Sequence, residues 1–254
     1  SILNLHTICS RLKMIKNYLD MYQKKSSQKV RSFYGTYQTR KWNDDVDIYY
    51  YEKKRGGKLF LAKCLEEAKE KGIVFNSSVV SSSQKSLWID SGWRECNQLY
   101  LYSQFFNNKV STQENINVVD CLKLRENQFA KIVSIDKEIF DPYWRSSSLT
   151  LLDTLKSSRE TLIYEYIDRG KFLAYALVGI TMRSSFLQRF AVHPDSQGMG
   201  VGSLVLDRLI VDMTERKMIS MKLNTQKENL AAQKLYEKKG FSLLNKSLSI
   251  MSSD

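Results

Sequence analysis

Beyond Gly202 the apolar residues fall at Val205, Leu206, Leu209, Ile210 and Met213, with Asp207, Arg208, Asp212 and Glu215 between them. That is the spacing of a helix with one buried face. Just upstream, Phe186, Leu187, Phe190, Ala191 and Val192 form a short apolar run that reads as a buried strand, which Pro194 and Asp195 end. Earlier still, "INVVDCLKL" reads as a strand, "ENQFAKIVSIDKEIF" as a helix, and "RETLIYEYIDRGKFLAYALVGIT" as two strands about an Asp168, Arg169, Gly170 turn. The predicted order over residues 117–250 is β-α-α-β-β-β-α-β-α-β.

The connection between that strand and helix, "RFAVHPDSQGMGVG" (189–202), sets three of the chain's eleven glycines, Gly198, Gly200 and Gly202, at alternate positions. The first N–H groups of a helix have no internal acceptor, and with the helix dipole they make an anion site. Glycines leave that backbone open to a phosphate. A tight turn alone needs only one of them. A dinucleotide-binding loop would want a third glycine at Ser203 or Val205, and a Walker loop would want Gly-Lys-Ser/Thr at Gly202, Ser203 and Leu204. Neither pattern is met.

Gln197, Gly200 and Gly202 do fit Gln/Arg-x-x-Gly-x-Gly/Ala, and "LNTQKENLAAQKLYEKKGF" (223–241) adds Asn229, Ala232, Leu235, Tyr236, Gly240 and Phe241 at matching intervals. On these two motifs residues 117–250 resemble the GNAT superfamily of N-acetyltransferases. The resemblance implies an α/β fold with a mixed sheet, acetyl-CoA as co-substrate and no metal. It also implies a primary amine as acceptor, on a small molecule or at a protein or peptide N-terminus. The implied cofactor site takes Phe190, Ala191 and Val192 from the strand, Gln197, Gly198, Met199, Gly200, Val201, Gly202 and Ser203 from the loop and helix start, and Asn229 and Tyr236 from the second motif. Asn229 is then expected at the pantetheine arm, a backbone N–H of the strand ending at Val192 at the oxyanion, and Tyr236 as the catalytic donor to the leaving thiolate. A phenol with a reference pKa of about 10 keeps its proton at neutral pH.

Structural roles stand beside these. Asn229 suits a helix N-cap, Gly240 a C-cap, Leu235 the core and His193 the turn, and Tyr236 is either the proton donor or a core aromatic. A related subgroup that acts on ribosomal proteins carries a glutamate five residues before the asparagine, where this chain has Asn224. The general base is therefore open among Glu138, Asp141, Glu165 and a water relay. "FDPYWRSSS" falls where the family's substrate loops lie, so Tyr143 and Trp144, with Asn224, are candidate acceptor contacts, or else a packed loop. A catalytically silent acyl-CoA-binding or scaffold protein is the alternative reading.

The first 110 residues repeat the pattern of the last 55 in weakened form. Leu59 and Leu61 match Leu204 and Leu206 at an offset of 145, and Leu87, Trp88, Gly92 and Trp93 match Leu235, Tyr236, Gly240 and Phe241 at an offset of 148. "EKKRGGK" replaces the glycine loop, and Trp88 replaces the tyrosine. The expectation is a tandem arrangement: residues 1–110 as a degenerate copy with no cofactor site, 111–254 as the catalytic domain, and 106–116 as the connection. Residues 1–30 are expected to form one helix ending in a polar linker.

Composition narrows the setting. With 43% hydrophobic and 26% charged residues, 254 residues sustain one or two domains. Four cysteines, none at C-x-x-C spacing, and two histidines argue against a metal site and for a reduced interior. No apolar run reaches the roughly 20 residues of a membrane span, and Arg11, Lys13 and Lys16 interrupt the first twenty positions, so a cytoplasmic protein is expected. The net charge of +12 sits mainly in the first half, but no aromatic-rich motif accompanies it, so a solvated surface is preferred over nucleic-acid binding. Oligomeric state, acceptor identity and source organism carry no signal.

Overall fold

The structure, a computed structural model, describes residues 28–106 and 116–254. In chain order the elements are β1 (Gln28–Ser32), β2 (Gly35–Lys41), β3 (Tyr49–Gly56), α1 (Lys58–Lys71), β4 (Phe75–Ser77), β5 (Val80–Ser81), α2 (Ser82–Ile89) and β6 (Arg94–Phe105). They continue with β7 (Ile116–Asp120), α3 (Glu126–Ile139), α4 (Ser148–Lys156), β8 (Glu160–Asp168), β9 (Lys171–Ile180), β10 (Ser184–Val192), α5 (Val201–Glu215), β11 (Ser220–Gln226), α6 (Leu230–Lys238) and β12 (Ser242–Ser252). From β7 onward this is the predicted order. Short 3₁₀ turns follow β7 and β10. Among the described residues no helix is long and apolar enough to cross a membrane.

The chain divides into two compact units. Of the described residues, the larger unit holds 102–106, 116–225 and 229–243, and the smaller holds 28–101, 226–228 and 244–254. In the larger unit β7, β8, β9 and β10 run antiparallel in succession, and β11 joins β10 in parallel. The parallel step needs a crossover, which α5 supplies. Alternate strand residues face opposite sides. Ile163, Tyr175, Leu177 and Ala191 pack with Ile132, Ile135, Leu151 and Leu155 of α3 and α4. Leu162, Tyr164 and Val178 take the other side, where α5 lies on β8, β9 and β10 through fully buried Val205, Leu206 and Leu209. The apolar spacing of 205–213 thus became a core-facing helix.

In the smaller unit β1, β2 and β3 are antiparallel and β4 joins β3 in parallel, with α1 as the crossover. The expected helix over residues 1–30 is corrected at its end, because Gln28, Lys29 and Val30 are paired in β1; residues 1–27 lie outside the described residues. β2 and β3 escape an apolar count because tyrosines supply their buried face: Tyr37 and Tyr51 are buried and stack at 4.7 Å, with Thr36 and Gln38 on either side of Tyr37 and Tyr50 and Glu52 on either side of Tyr51. Phe60, Leu61, Leu65, Trp88 and Trp93 complete that core, with the Trp93 indole N–H donating to the Leu61 carbonyl at 3.0 Å. Met251 of β12, fully buried, belongs to the same cluster.

Two helix ends repeat each other in detail. Gly92 and Gly240 both adopt left-handed φ, 90° and 86°. The next N–H reaches back to the Trp88 carbonyl from Trp93 (3.1 Å) and to the Tyr236 carbonyl from Phe241 (3.0 Å). This is the glycine-terminated helix cap with its backbone bond spanning the turn.

Because Met251 sits in the core of the smaller unit, its truncation to Ala should lower stability by about 2–5 kcal/mol. Chemical denaturation followed by tryptophan fluorescence reads this, since Trp42, Trp88 and Trp93 are in that unit. An unmoved transition would contradict the placement of β12.

Candidate active site

In the larger unit the parallel pairing of β10 with β11 runs from Ser184 with Ser220 to Leu187 with Leu223 and stops there. At the same place the pairing of β10 with β9 shifts register between Leu187 and Arg189. The remainder of β10 stays on β9, from Arg189 opposite Leu177 to Val192 opposite Ala174. An opening therefore begins beyond Leu187 and Leu223. The His193 N–H donates to Leu173 of β9 at 2.8 Å. By strand alternation Ala191 points its N–H to the same side, and Phe190 and Val192 point theirs toward the opening. The Val192 carbonyl, on that open side, accepts from the Gln197 amide at 3.0 Å.

The loop from β10 to α5 is built by its own turns. Ser196 N–H donates to the His193 carbonyl and Gln197 N–H to that of Pro194. Gly198 and Gly200 take left-handed φ of 74° and 85°, and a Cβ at either would meet nothing within 4 Å, so backbone conformation, with open space beside it, is what demands glycine there. Gly202 answers to a different constraint: its φ is ordinary, but a Cβ would lie 3.0 Å from Leu235 Cδ2 and 3.5 Å from Phe190 and Val192. The first α5 ladder bond runs from Leu204 N–H to the Gly200 carbonyl, so Val201, Gly202 and Ser203 present N–H groups ahead of it. Met199 is 75% exposed beside them. These free donors, with uncluttered space at Gly198 and Gly200, fit a phosphate-bearing molecule such as coenzyme A.

Helix α6 brings the second motif to the loop. Asn229 is its N-cap, with Oδ1 accepting from Ala232 N–H at 3.1 Å. Lys239 pairs with both carboxylate oxygens of Asp207 at 2.6 Å and so ties α6 to α5. Leu235, expected in the core, is half-buried against Gly202, and Tyr236, expected as proton donor or core aromatic, is the more deeply buried of the two at 6% exposure. The Tyr236 ring lies 6.1 Å from Tyr102 and 6.0 Å from Phe241, and its hydroxyl has no hydrogen-bond partner among the described residues. Burial raises the phenol's pKa above its ordinary value, which keeps the proton in place. Tyr102 was not anticipated; it is fully buried at the end of β6, donates to Glu237 at 3.1 Å, and is followed by Gln104, which donates to the Lys239 carbonyl at 3.0 Å.

The remaining candidates separate cleanly. Asn224 is half-buried on β11, one residue past the last paired position. Tyr143 and Trp144 are half-buried, with rings edge-on at 4.9 Å. Glu165 is buried on β8 and bonded to Asn117 and Gln128, two strands removed from β10. Glu138 is exposed on α3 and lies 3.5 Å from His193 Nε2 at the end of β10. His193 Nδ1 accepts from Asp195 N–H at 3.2 Å, which puts the proton of the neutral ring on Nε2, facing Glu138.

The mixed sheet, its opening and the glycine loop define a GNAT-type α/β fold. Over 90% of its length the chain is similar to a tandem GNAT protein from the clavulanic acid biosynthesis pathway, with a TM-score of 0.62, 11% identity and 83% of that chain covered. It is also similar over 85% of its length to a GCN5-related N-acetyltransferase from Sphaerobacter thermophilus, with a TM-score of 0.57, 13% identity and 75% of that chain covered. Residues 129–241 match the Acetyltransferase (GNAT) family and are a domain of that family. Among curated proteins, the [ribosomal protein bS18]-alanine N-acetyltransferase of Escherichia coli K12 is 32% identical over 80 residues, which are 32% of this chain. The chain spans about half the length, 54%, of that relative.

The loop geometry predicts that coenzyme A binds at one site per chain in calorimetry and that Gly200→Asp abolishes binding, since a side chain at left-handed φ would also set a negative charge beside the pyrophosphate. Two sites, or an unaffected variant, would contradict it.

Proposed function

We propose that the larger unit is an acetyl-CoA-dependent N-acetyltransferase whose acceptor is a primary amine, on a small molecule or at a protein or peptide N-terminus. The observation that carries the reading is the separation of β10 from β11, which leaves the N–H groups of Phe190 and Val192 on the open side of β10, with the start of α5 at Gly202 packed beside both residues. Acetyl-CoA supplies an activated acetyl thioester. Val201, Gly202 and Ser203 hold its pyrophosphate with backbone donors, and Gln197 braces the strand end rather than the phosphate.

The Phe190 and Val192 amides offer preset donors for the charge that builds on the acetyl oxygen, where water is scarce and such donors count most. Tyr236 holds a proton at Oη for the departing thiolate, and with no competing acceptor the hydroxyl is free to turn toward it. Glu138, backed by His193 at the strand end beside the loop, is the proton acceptor for the amine, whereas Glu165 is engaged by Asn117 and Gln128. Asn224 and the Tyr143, Trp144 pair form the acceptor side. The ribosomal-protein relative makes a peptide with N-terminal alanine the first acceptor to try.

In the same reading residues 1–110 are a degenerate copy with no cofactor site. Two features support this: only Gly57 separates β3 from α1, where eight residues separate β10 from α5, and the Phe60 ring crowds Gly56, leaving no room for a Cβ there. Trp88, 2% exposed in the core, stands in the tyrosine's place.

Two measurements test the chemistry. Single-turnover transfer by Tyr236→Phe should be slower by about 10²–10⁴-fold with acetyl-CoA affinity little changed; an equal chemical-step rate would make Tyr236 a core aromatic only. Glu138→Gln should slow transfer at neutral pH by roughly 10²-fold and recover toward alkaline pH, where the amine loses its proton unaided. Acetyl-CoA binding without transfer to alanine-initiated peptides or small primary amines would favour a silent binding protein.

A further inference from the structure

Arg189, the residue immediately before the cofactor strand segment, is the centre of a buried polar cluster that catalysis as described above does not use. Its Nε and Nη2 meet Oδ2 and Oδ1 of Asp136 at 2.5 and 2.9 Å, a two-pronged pair on a carboxylate with no exposure. The Tyr175 hydroxyl, also without exposure, donates to the same Asp136 Oδ2, and Arg189 Nε approaches that hydroxyl at 3.1 Å. The Phe140 ring lies 3.9 Å from the guanidinium carbon.

Two further bonds leave the cluster, and both go to the backbone of one loop. Arg189 Nη2 donates to the Trp144 carbonyl at 2.7 Å, and Ser146 N–H donates to Asp136 Oδ1 at 2.7 Å. A buried ion pair is poor evidence for stability, because its desolvation offsets most of its attraction and an apolar pair of similar volume serves as well. An apolar pair has no means of fixing a carbonyl and an N–H two residues apart. The planar guanidinium does so while still holding the carboxylate, which an ammonium at the same place has too few aligned donors to match.

We propose that Arg189 is a positioning residue for the acceptor: through Asp136 and the Trp144 carbonyl it locks residues 141–147, with the Tyr143 and Trp144 rings, in register with β10 and so with the N–H groups of Phe190 and Val192. This rests on the reading of that loop as the acceptor side of an acetyltransferase. The cluster makes acceptor placement a property of the strand that also faces the acetyl group. A slip of the loop then moves the amine relative to the reacting carbonyl, where misplacement by about 1 Å costs on the order of 10²-fold.

The test compares wild type with Arg189→Lys, using an alanine-initiated hexapeptide or the best small amine of a panel as acceptor. The expected result is an acceptor KM raised about 10-fold or more, with kcat changed less than about 3-fold and the acetyl-CoA Kd from calorimetry unchanged. Amide exchange should quicken by at least about 10-fold over 141–147 while 160–180 stays protected. If the lysine variant does not fold, Tyr175→Phe removes one donor to Asp136 without touching the charges and should move KM and loop exchange in the same directions, by about 3-fold. Unchanged loop exchange overturns the proposal, and so does faster exchange with an unchanged acceptor KM. A wild type that binds acetyl-CoA but acetylates nothing in the panel contradicts the acetyltransferase reading instead, and loop exchange in Arg189→Lys then still decides whether the clamp exists.

Discussion

Two parallel strands that begin paired and then part are the constraint on which the larger unit depends. Buried strand N–H groups without acceptors are costly, so a sheet that opens inside a domain must hold its loose strand from elsewhere. Strand β10 is held by β9 on one side through Val192, by the Gln197 amide on its final carbonyl, and by Arg189 in the buried cluster with Asp136 and Tyr175. Those supports let Phe190 and Val192 keep their N–H groups for something other than protein. The glycine loop leads from that strand end into the uncapped start of α5, where Gly202 lies beside Phe190, Val192 and Leu235.

A one-residue connection between strand and helix accompanies a packed aromatic core in the smaller unit. In the smaller unit β3 passes through Gly57 directly into α1, and aromatic side chains fill the interior, with Tyr51, Trp88 and Trp93 within 6 Å of one another. The helix ends at Gly92 and Gly240 share one backbone geometry, with left-handed φ at both glycines. What differs is the length of the connection and the side chain one turn before each glycine. Membership of the units also crosses the sequence halves: β6 contributes Tyr102 and Gln104 to the larger unit, and β12 contributes Met251 to the core of the smaller.

Much of this was legible in the sequence, for identifiable reasons. Helical periodicity at 205–213 and the apolar run at 186–192 are local signals, and the structure follows both. The glycine pattern marked the loop but not its two separate causes, since left-handed φ at Gly198 and Gly200 and side-chain contact at Gly202 look alike as letters. Strands β1 to β3 were missed because their apolar signal is weak: β1 offers only Val30, β2 only Tyr37 among polar residues, and β3 opens on three consecutive tyrosines, Tyr49 to Tyr51, that show no alternation. The Asp136 to Arg189 pair spans 53 positions, and no spacing rule reaches that far. Ranking Glu138 above Glu165 likewise needed the sheet, which sets one at the strand end and the other among the amides of Asn117 and Gln128.

The most direct test of the account is a crystal structure with coenzyme A bound. It predicts the pyrophosphate on the N–H groups of Val201, Gly202 and Ser203, the pantetheine arm between β10 and β11 beyond Leu187 and Leu223, and the sulfur beside the Tyr236 hydroxyl. Density for the ligand anywhere else, or β10 and β11 zipped together past Leu187 and Leu223, would contradict it.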